Sequence, residues 1–473
     1  MLRRSLASFL VVAAMLLIAG PASATDYVPG SPGAGDPFFP LAGNGGYEVR
    51  HYSLRLAYEP RNNALDARAV ISARATQDLS RFNLDLRGLH VSRVTVGGDP
   101  AAFKREGQEL VITPAAGIRR GRPFEVAVDY QGHPNPIIDP DKSKDGWIPT
   151  DDGAFVVNEP QGSPSWYPAN DTPKDKATYD FAITVPEGHT AIANGLLAGT
   201  TDNGETTTWR WRASDPTAPY LATATNGVFE TDFTTPLGEL PEYNAVDPQT
   251  RPGGARDPNP QLAWERLALN GPAVDLFKEL YGPYPFESVG GVVDWAPNVF
   301  YSLESQTRPM YWRVPSESTV VHEIAHMWFG DSVTPEIWPD IWLNEGFATW
   351  SEWIWSERTG GPSAAQTFDD LYATPEDSDA GQDLWFPAPA ALPGPAELFH
   401  TPVYDRGAMT LQALRERVGD AVFFQIMRTW YAENRNGNVT TADFIALAER
   451  VSGQQLDQFF QVWLYEEGRP ESW

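Results

Sequence analysis

The 473-residue chain contains no cysteine, which excludes disulfides, thiolate nucleophiles and sulfur ligands, so a metal site must be built from His, Asp or Glu. Histidine itself is scarce, with 7 in the whole chain, so any close grouping of imidazoles is informative. Basic residues are also few. The 35 Lys and Arg face 62 Asp and Glu, a formal net charge of −27, which argues against nucleic acid or anionic membrane surfaces as partners. After the first two dozen residues, no apolar run is long enough to cross a bilayer.

The exception is the start. Met1-Leu-Arg-Arg-Ser precedes an apolar run from Leu6 to Gly20, and Ala22-Ser23-Ala24 places small residues where a signal peptidase reads. Residues 1–24 therefore read as a signal peptide cleaved after Ala24, with Arg3-Arg4 a weak hint of twin-arginine rather than general export. The mature chain is expected to be secreted, monomeric and without a membrane anchor.

Residues 25–44 are rich in Gly, Pro and Asp and read as a flexible leader. From 45 to 235 the pattern is β. Segments such as H-Y-S-L-R-L-A-Y and F-E-V-A-V-D-Y alternate with a two-residue period and are punctuated by Gly, Asn, Asp and Pro, as in an antiparallel sandwich or saddle. Asp139 to Gly153 reads as a charged surface loop. From 236 to 473 helical spacing dominates, with one helix expected from Gln261 to Leu280, a metal-bearing helix ended by Gly330, and another from Asn344 to Arg358. Pro375 to Pro395 reads as a long loop. The fold class is α+β multidomain, with a β domain first and a mostly helical domain after it.

The second domain contains the chemistry. In V-V-H-E-I-A-H-M-W-F-G, His322 and His326 stand one helical turn apart on one face, with Glu323 beside them. With so few histidines, such a pair arises by chance roughly 0.1 times, before the intervening Glu is required. A catalytic zinc needs a third protein ligand and an open position, and Glu345 in W-L-N-E-G lies 19 residues past His326. Asp331, Asp340 and Glu352 are candidates to orient the histidines.

These motifs, H-E-I-A-H-M-W-F-G-D-S-V-T-P and I-W-L-N-E-G-F-A, closely resemble the aminopeptidase N-like family of gluzincin zinc metallopeptidases. In the β domain, D-L-S-R-F-N-L-D-L and W-Y-P-A-N-D-T-P-K-D-K-A-T-Y-D-F resemble family segments. The resemblance implies a saddle-like β domain followed by a thermolysin-like catalytic domain, without the helical domain that many members carry after it. It implies one zinc ion on His322, His326 and Glu345, Glu323 as general base, and Tyr404 in V-Y-D-R-G-A-M as oxyanion donor. It also implies Glu304 in Y-S-L-E-S as the anchor for a substrate α-amine, although the Gly, Met and Asn that flank this glutamate in the family are Tyr301, Leu303 and Ser305 here. A second anchor falls on Gln161 or, two residues earlier, Glu159. The expected partners are peptides with a free N-terminus. The alternatives are a non-catalytic peptide-binding relative, or an epoxide-opening or endopeptidase variant of the same zinc site.

Overall fold

The computed structural model describes residues 26–234 and 240–472. The leader 1–24 and the expected boundary between 235 and 236 lie outside the described residues.

The first half is built on an eight-stranded sheet. Its long strands Tyr47–Glu59, Ala64–Ala75, Pro123–Gly132, Ala177–Pro186 and Thr206–Thr217 pair antiparallel throughout, except that Ala177–Pro186 runs parallel to Tyr47–Glu59. The alternation read from the sequence is the burial pattern: Tyr52, Leu54, Leu56 and Tyr58 point into the core, and the intervening residues face outward. A second, five-stranded sheet contains Lys144–Pro149, Ala154–Val157, Ala224–Gly227 and Thr190–Ala193. Ala154–Val157 is buried on both faces, so the chain that leaves it, Asn158 and Glu159, is also held inside the protein. The excursion from Asp139 to Gly153 is therefore not a simple surface loop. It includes the strand Lys144–Pro149, drawn inward because Trp147 and Ile148 are core residues.

The second half opens on the strands Glu242–Val246, Val289–Val293 and Met310–Tyr311, then becomes helical. Among the described residues there are ten α-helices, the first two lying between the strands Glu242–Val246 and Val289–Val293: α1 (Pro260–Leu267), α2 (Asn270–Tyr281), α3 (Glu317–Ala325), α4 (Trp342–Thr359), α5 (Ala364–Tyr372), α6 (Asp379–Trp385), α7 (Thr401–Val418), α8 (Asp420–Asn434), α9 (Thr441–Ser452) and α10 (Asp457–Phe460). The single helix expected over 261–280 is thus two, parted at Ala268 and Leu269. The loop expected over 375–395 contains α6, whose first turn is capped by Ser378.

Residues 26–44 are not a loose leader. Val28–Pro29 pairs with the strand Leu79–Asp85, and the buried Asp36 carboxylate accepts from the backbone N–H groups of Phe38, Phe39 and, 2.8 Å away, Trp338. Phe39 packs edge-on against the Trp338 ring. The Gly, Pro and Asp content serves tight turns in an ordered strap that touches both halves.

One contact fixes how the helices deliver their side chains. At the crossing of α4 and α7, a Cβ on Gly346 would lie 2.8 Å from the Gly407 backbone, and one on Gly407 would lie 2.9 Å from Gly346 Cα. Two glycines allow the backbones to touch, which sets Glu345 of α4 and Tyr404 of α7 on either side of one space. Gly346→Ala is expected to destabilise the protein by about 1–3 kcal/mol through overpacking and to lower turnover by displacing α7. Thermal unfolding and a peptidase assay on the same preparation check this. Unchanged stability with unchanged turnover would show that the close crossing is unnecessary.

Candidate metal centre and active site

Helix α3 begins at Ser316, whose hydroxyl accepts from the Thr319 N–H at 3.0 Å, and buries Val320, Val321, Ile324 and Ala325. The regular helix ends at Ala325 rather than running on to Gly330. The following turn keeps His326 in helical conformation, with its N–H bonded to the His322 carbonyl at 3.2 Å, so the two imidazoles still share a face. Gly330 has φ 129°, and a Cβ there would meet His326 Nδ1 at 3.1 Å. The glycine lets the turn close over the second histidine.

Glu345 Oε2 lies 3.1 Å from His322 Nε2 and 3.5 Å from His326 Nε2. Three ligands at zinc bond lengths of about 2.0–2.1 Å in tetrahedral arrangement would stand about 3.3 Å apart. The other ring nitrogens are engaged. His322 Nδ1 lies 2.8 Å from Glu352 Oε1, and His326 Nδ1 lies 3.0 Å from the Phe329 carbonyl. Donation from each Nδ1 leaves both Nε2 lone pairs directed at the same point. The donor set therefore fits zinc. Of the three candidate orienting residues, Glu352 holds His322. Asp340 bonds Thr441 instead, and the Asp331 carboxylate oxygens are buried without partners. The acceptor for His326 is a backbone carbonyl, which no side-chain pattern could have signalled.

Around this triad the protein buries more negative charge. Glu304, Glu323 and His326 have ligand atoms mutually within 4.8 Å, and so do Glu159, Glu304 and Glu345. Glu304 sits in a short hairpin: Leu303 and Met310 exchange backbone hydrogen bonds, and Thr307 takes the left-handed conformation at the tip. Arg308 clamps that hairpin, its buried guanidinium donating to the carbonyls of Ala193, Val289 and Gly195. Oε1 of Glu159 and Oε1 of Glu304 are both buried without a hydrogen-bond partner.

Burial, reinforced by Glu304 and Glu345 against the two histidines, pushes Glu323 up to about 8. Burial and the neighbouring carboxylates Glu304 and Glu345 hold Glu159 well above the usual range. Burial raises Glu345 as well, but His326 and His322 outweigh it and bring that carboxylate down to about 2. Glu345 is thus kept ionised while burial and neighbouring carboxylates push Glu323 and Glu159 towards the protonated form.

Glu159 lines the same cavity as the triad, Glu323, Glu304 and Tyr404, a space of about 1020 Å³ between the two halves. Gln161 does not line it. Its amide donates to Asp139 at 2.7 Å and accepts from Arg87 at 3.3 Å, so of the two alternative positions only Glu159 faces the site. Tyr404 stands in the first turn of α7, its ring 6.1 Å from that of His322. Tyr301, in place of the family's glycine, donates its hydroxyl to Asp145 at 2.5 Å and ties the Glu304 segment to the β domain.

A helix-borne His-Glu-x-x-His pair completed by a glutamate from the next long helix, behind a β domain, defines a gluzincin-type zinc metallopeptidase architecture. The chain belongs to peptidase family M1: residues 48–221 match the Peptidase M1 N-terminal domain and residues 299–463 the Peptidase family M1 domain. Among solved structures, an M1 zinc metallopeptidase from Deinococcus radiodurans is 29% identical, with a TM-score of 0.80, covering 93% of this chain and 98% of that one. A mutant of that enzyme bound to the substrate Tyr-Ser-Ala superposes with a TM-score of 0.81 at 28% identity and the same coverage. Aminopeptidase N of Streptomyces lividans is 27% identical over 357 residues, 68% of this chain and 40% of its own length. Aminopeptidase M1 of Arabidopsis thaliana is 27% identical over 67% of this chain and 37% of its own. The chain thus spans about 40% of the length of these curated relatives.

Glu352→Ala is expected to lower zinc affinity by about 10–100-fold, because His322 loses the partner that fixes its tautomer. Competition against a chelator measures it. Affinity equal to wild type would remove Glu352 from the centre.

Proposed function

We propose that the protein is an exported zinc aminopeptidase that removes N-terminal residues from peptides. The observation that carries this reading is the pair of buried, unpartnered carboxylate oxygens on Glu159 and Glu304 beside the metal triad. A free α-ammonium supplies both the charge and the N–H donors that these oxygens lack, which a mid-chain peptide group does not. The substrate Tyr-Ser-Ala of the Deinococcus relative, a peptide with such an amine, supports the same class of substrate. The leader pattern of residues 1–24 supports export, and among the described residues no helix is long and apolar enough to cross a membrane.

His322, His326 and Glu345 would hold a zinc ion, which would supply Lewis acidity and lower the pKa of a water proton towards neutrality. Glu323 takes that proton as the water attacks the first peptide carbonyl, and returns it to the departing amine. The Tyr404 hydroxyl donates to the oxygen of that carbonyl as negative charge develops there, a contact stronger in the transition state than in the bound substrate. Glu304 and Glu159 hold the α-ammonium, so that the bond presented is the one after the first residue.

Glu323→Gln keeps the shape and removes the base. Turnover is expected to fall by at least about 10²–10³-fold with zinc retained. His322→Ala and Glu345→Ala are expected to lose metal together with activity. A zinc-replete Glu323→Gln enzyme with near-normal turnover on aminoacyl arylamides would sink the assignment.

Glu304→Ala and N-acetylation of the substrate break the same interaction. Each is expected to cost kcat/KM the equivalent of about 2–5 kcal/mol, and the two losses should not add. The four-way comparison on one dipeptide decides between exopeptidase and endopeptidase. Equal cleavage of acetylated and free peptide by wild type favours the endopeptidase.

A further inference from the structure

Resting on the aminopeptidase reading, we propose that Arg266 and Arg313 form a receiving site for the C-terminal carboxylate of the substrate, which tunes the enzyme to peptides of three or four residues. The cavity that holds the metal ligands is lined by Glu304 and Glu159 beside the triad and also by the basic residues Lys142, Lys144, Arg266 and Arg313. Glu304 lies at the C-terminal end of α3, with Oε1 3.9 Å from His326 Nδ1. The chain entering the other end of α3, Arg313, Val314, Pro315 and Ser316, lines this cavity, as do Leu262 and Arg266, one turn apart on α1. A peptide anchored by its amine near His326 and cut at the triad must send its remaining residues past His322 towards that wall.

The lengths agree. His322 stands six residues from the cap Ser316, about 9 Å along the helix axis. An extended chain advances about 3.3–3.6 Å per residue, so two or three residues beyond the cut place the terminal carboxylate about 7–11 Å downstream. A dipeptide falls short, and a long peptide carries its carboxylate beyond the wall.

Both guanidiniums are prepared for such a ligand. Among the described residues, no carboxylate is paired with Arg266 or Arg313, although acidic residues outnumber basic ones almost two to one in this chain. Arg266 Nε is buried without a hydrogen-bond partner. Arg313 is stacked on the Trp312 ring, its Cζ 4.4 Å from the ring centroid, and lies against Gly253, where a Cβ would stand 2.2 Å from Nη1. Trp312 is itself braced edge-on by Phe300 at 5.8 Å. Stacking holds the guanidinium plane and leaves its in-plane N–H groups for a carboxylate, which takes two parallel hydrogen bonds.

The experiment compares a tripeptide as the free acid with its C-terminal amide, with an N-terminal residue that wild type removes efficiently from arylamides. Wild type is expected to favour the acid in kcat/KM by about tenfold, a value between those of exposed and buried charge pairs. In the Arg266→Gln, Arg313→Gln double variant that ratio is expected to fall close to one, while Arg313→Lys keeps part of it. Because acid and amide are compared within each protein, a general loss of folded enzyme cancels. Calorimetric titration of zinc-loaded Glu323→Gln with the same two peptides reads the preference as binding, without turnover. An acid-to-amide ratio near one in wild type, or an undiminished ratio in the double variant, overturns the proposal. So does a tripeptide amide ending in aspartate that matches the free acid when the terminal carboxylate alone brings no advantage, since the guanidiniums would then be reading a side chain. Failure of wild type to cleave any arylamide, with the calorimetric preference intact, counts against the aminopeptidase reading and leaves this site standing.

Discussion

The structure depends on a concentration of like charge that must be relieved, either by protons or by bound cations. Four glutamates, Glu159, Glu304, Glu323 and Glu345, are all buried around two imidazoles. Glu304 lies within 4.8 Å of Glu159, Glu323 and Glu345, and Glu159 within the same distance of Glu345, and each of these pairs repels by about 3–4 kcal/mol at an effective dielectric near 20. Burial and this repulsion push Glu323 and Glu159 upward towards the protonated form, while the two histidines hold Glu345 down. A divalent metal and an α-ammonium relieve it in a different way, by neutralisation in place. On the function proposed above, the same cluster selects both the cofactor and the charged end of the substrate.

Keeping such a cluster in position takes material from the whole chain. The β domain supplies Glu159, on the chain leaving a strand buried on both faces, and Tyr220, whose hydroxyl reaches the Gly330 carbonyl and the amide of Asn344, the residue before Glu345. Lys176 crosses to the carbonyls of Asp331, Ser332 and Gly437. Arg308 bonds carbonyls of both halves and stacks near Trp211 and Tyr243, so the hairpin carrying Glu304 cannot shift without both halves moving. The N-terminal domain is thus one wall of the site.

What the sequence showed followed how local each signal was. His322, Glu323 and His326 lie within five residues, and helical geometry alone brings them together. Glu345 was legible because the next apolar helix began at a suitable distance. Glu304 and Tyr404 needed family resemblance, since a lone carboxylate beside a strand or a tyrosine at a helix start is ordinary in itself. The choice between Glu159 and Gln161 was not legible at all. It turned on which of two polar residues faced inward after a buried strand, and Gln161 is diverted by Asp139 and Arg87, neither close to it in sequence. The orienting carbonyl of Phe329 was equally hidden, because any residue has a carbonyl. The strap over 26–44 was misread because turn-forming composition marks bends and says nothing about whether the bends are anchored. Asp36 is satisfied by a backbone N–H 302 residues away.

That strap bears on where the chain can be shortened. Removing residues up to Tyr47 would leave the N–H of Trp338 facing a core without its carboxylate and would uncover the strand Leu79–Asp85 along one edge. Trp338 opens the short 3₁₀ turn that feeds directly into α4, the helix bearing Glu345 and Glu352. A trimming that looks remote from the chemistry would therefore loosen the mounting of Glu345, so a shortened chain has to keep the strap from Val28 onward.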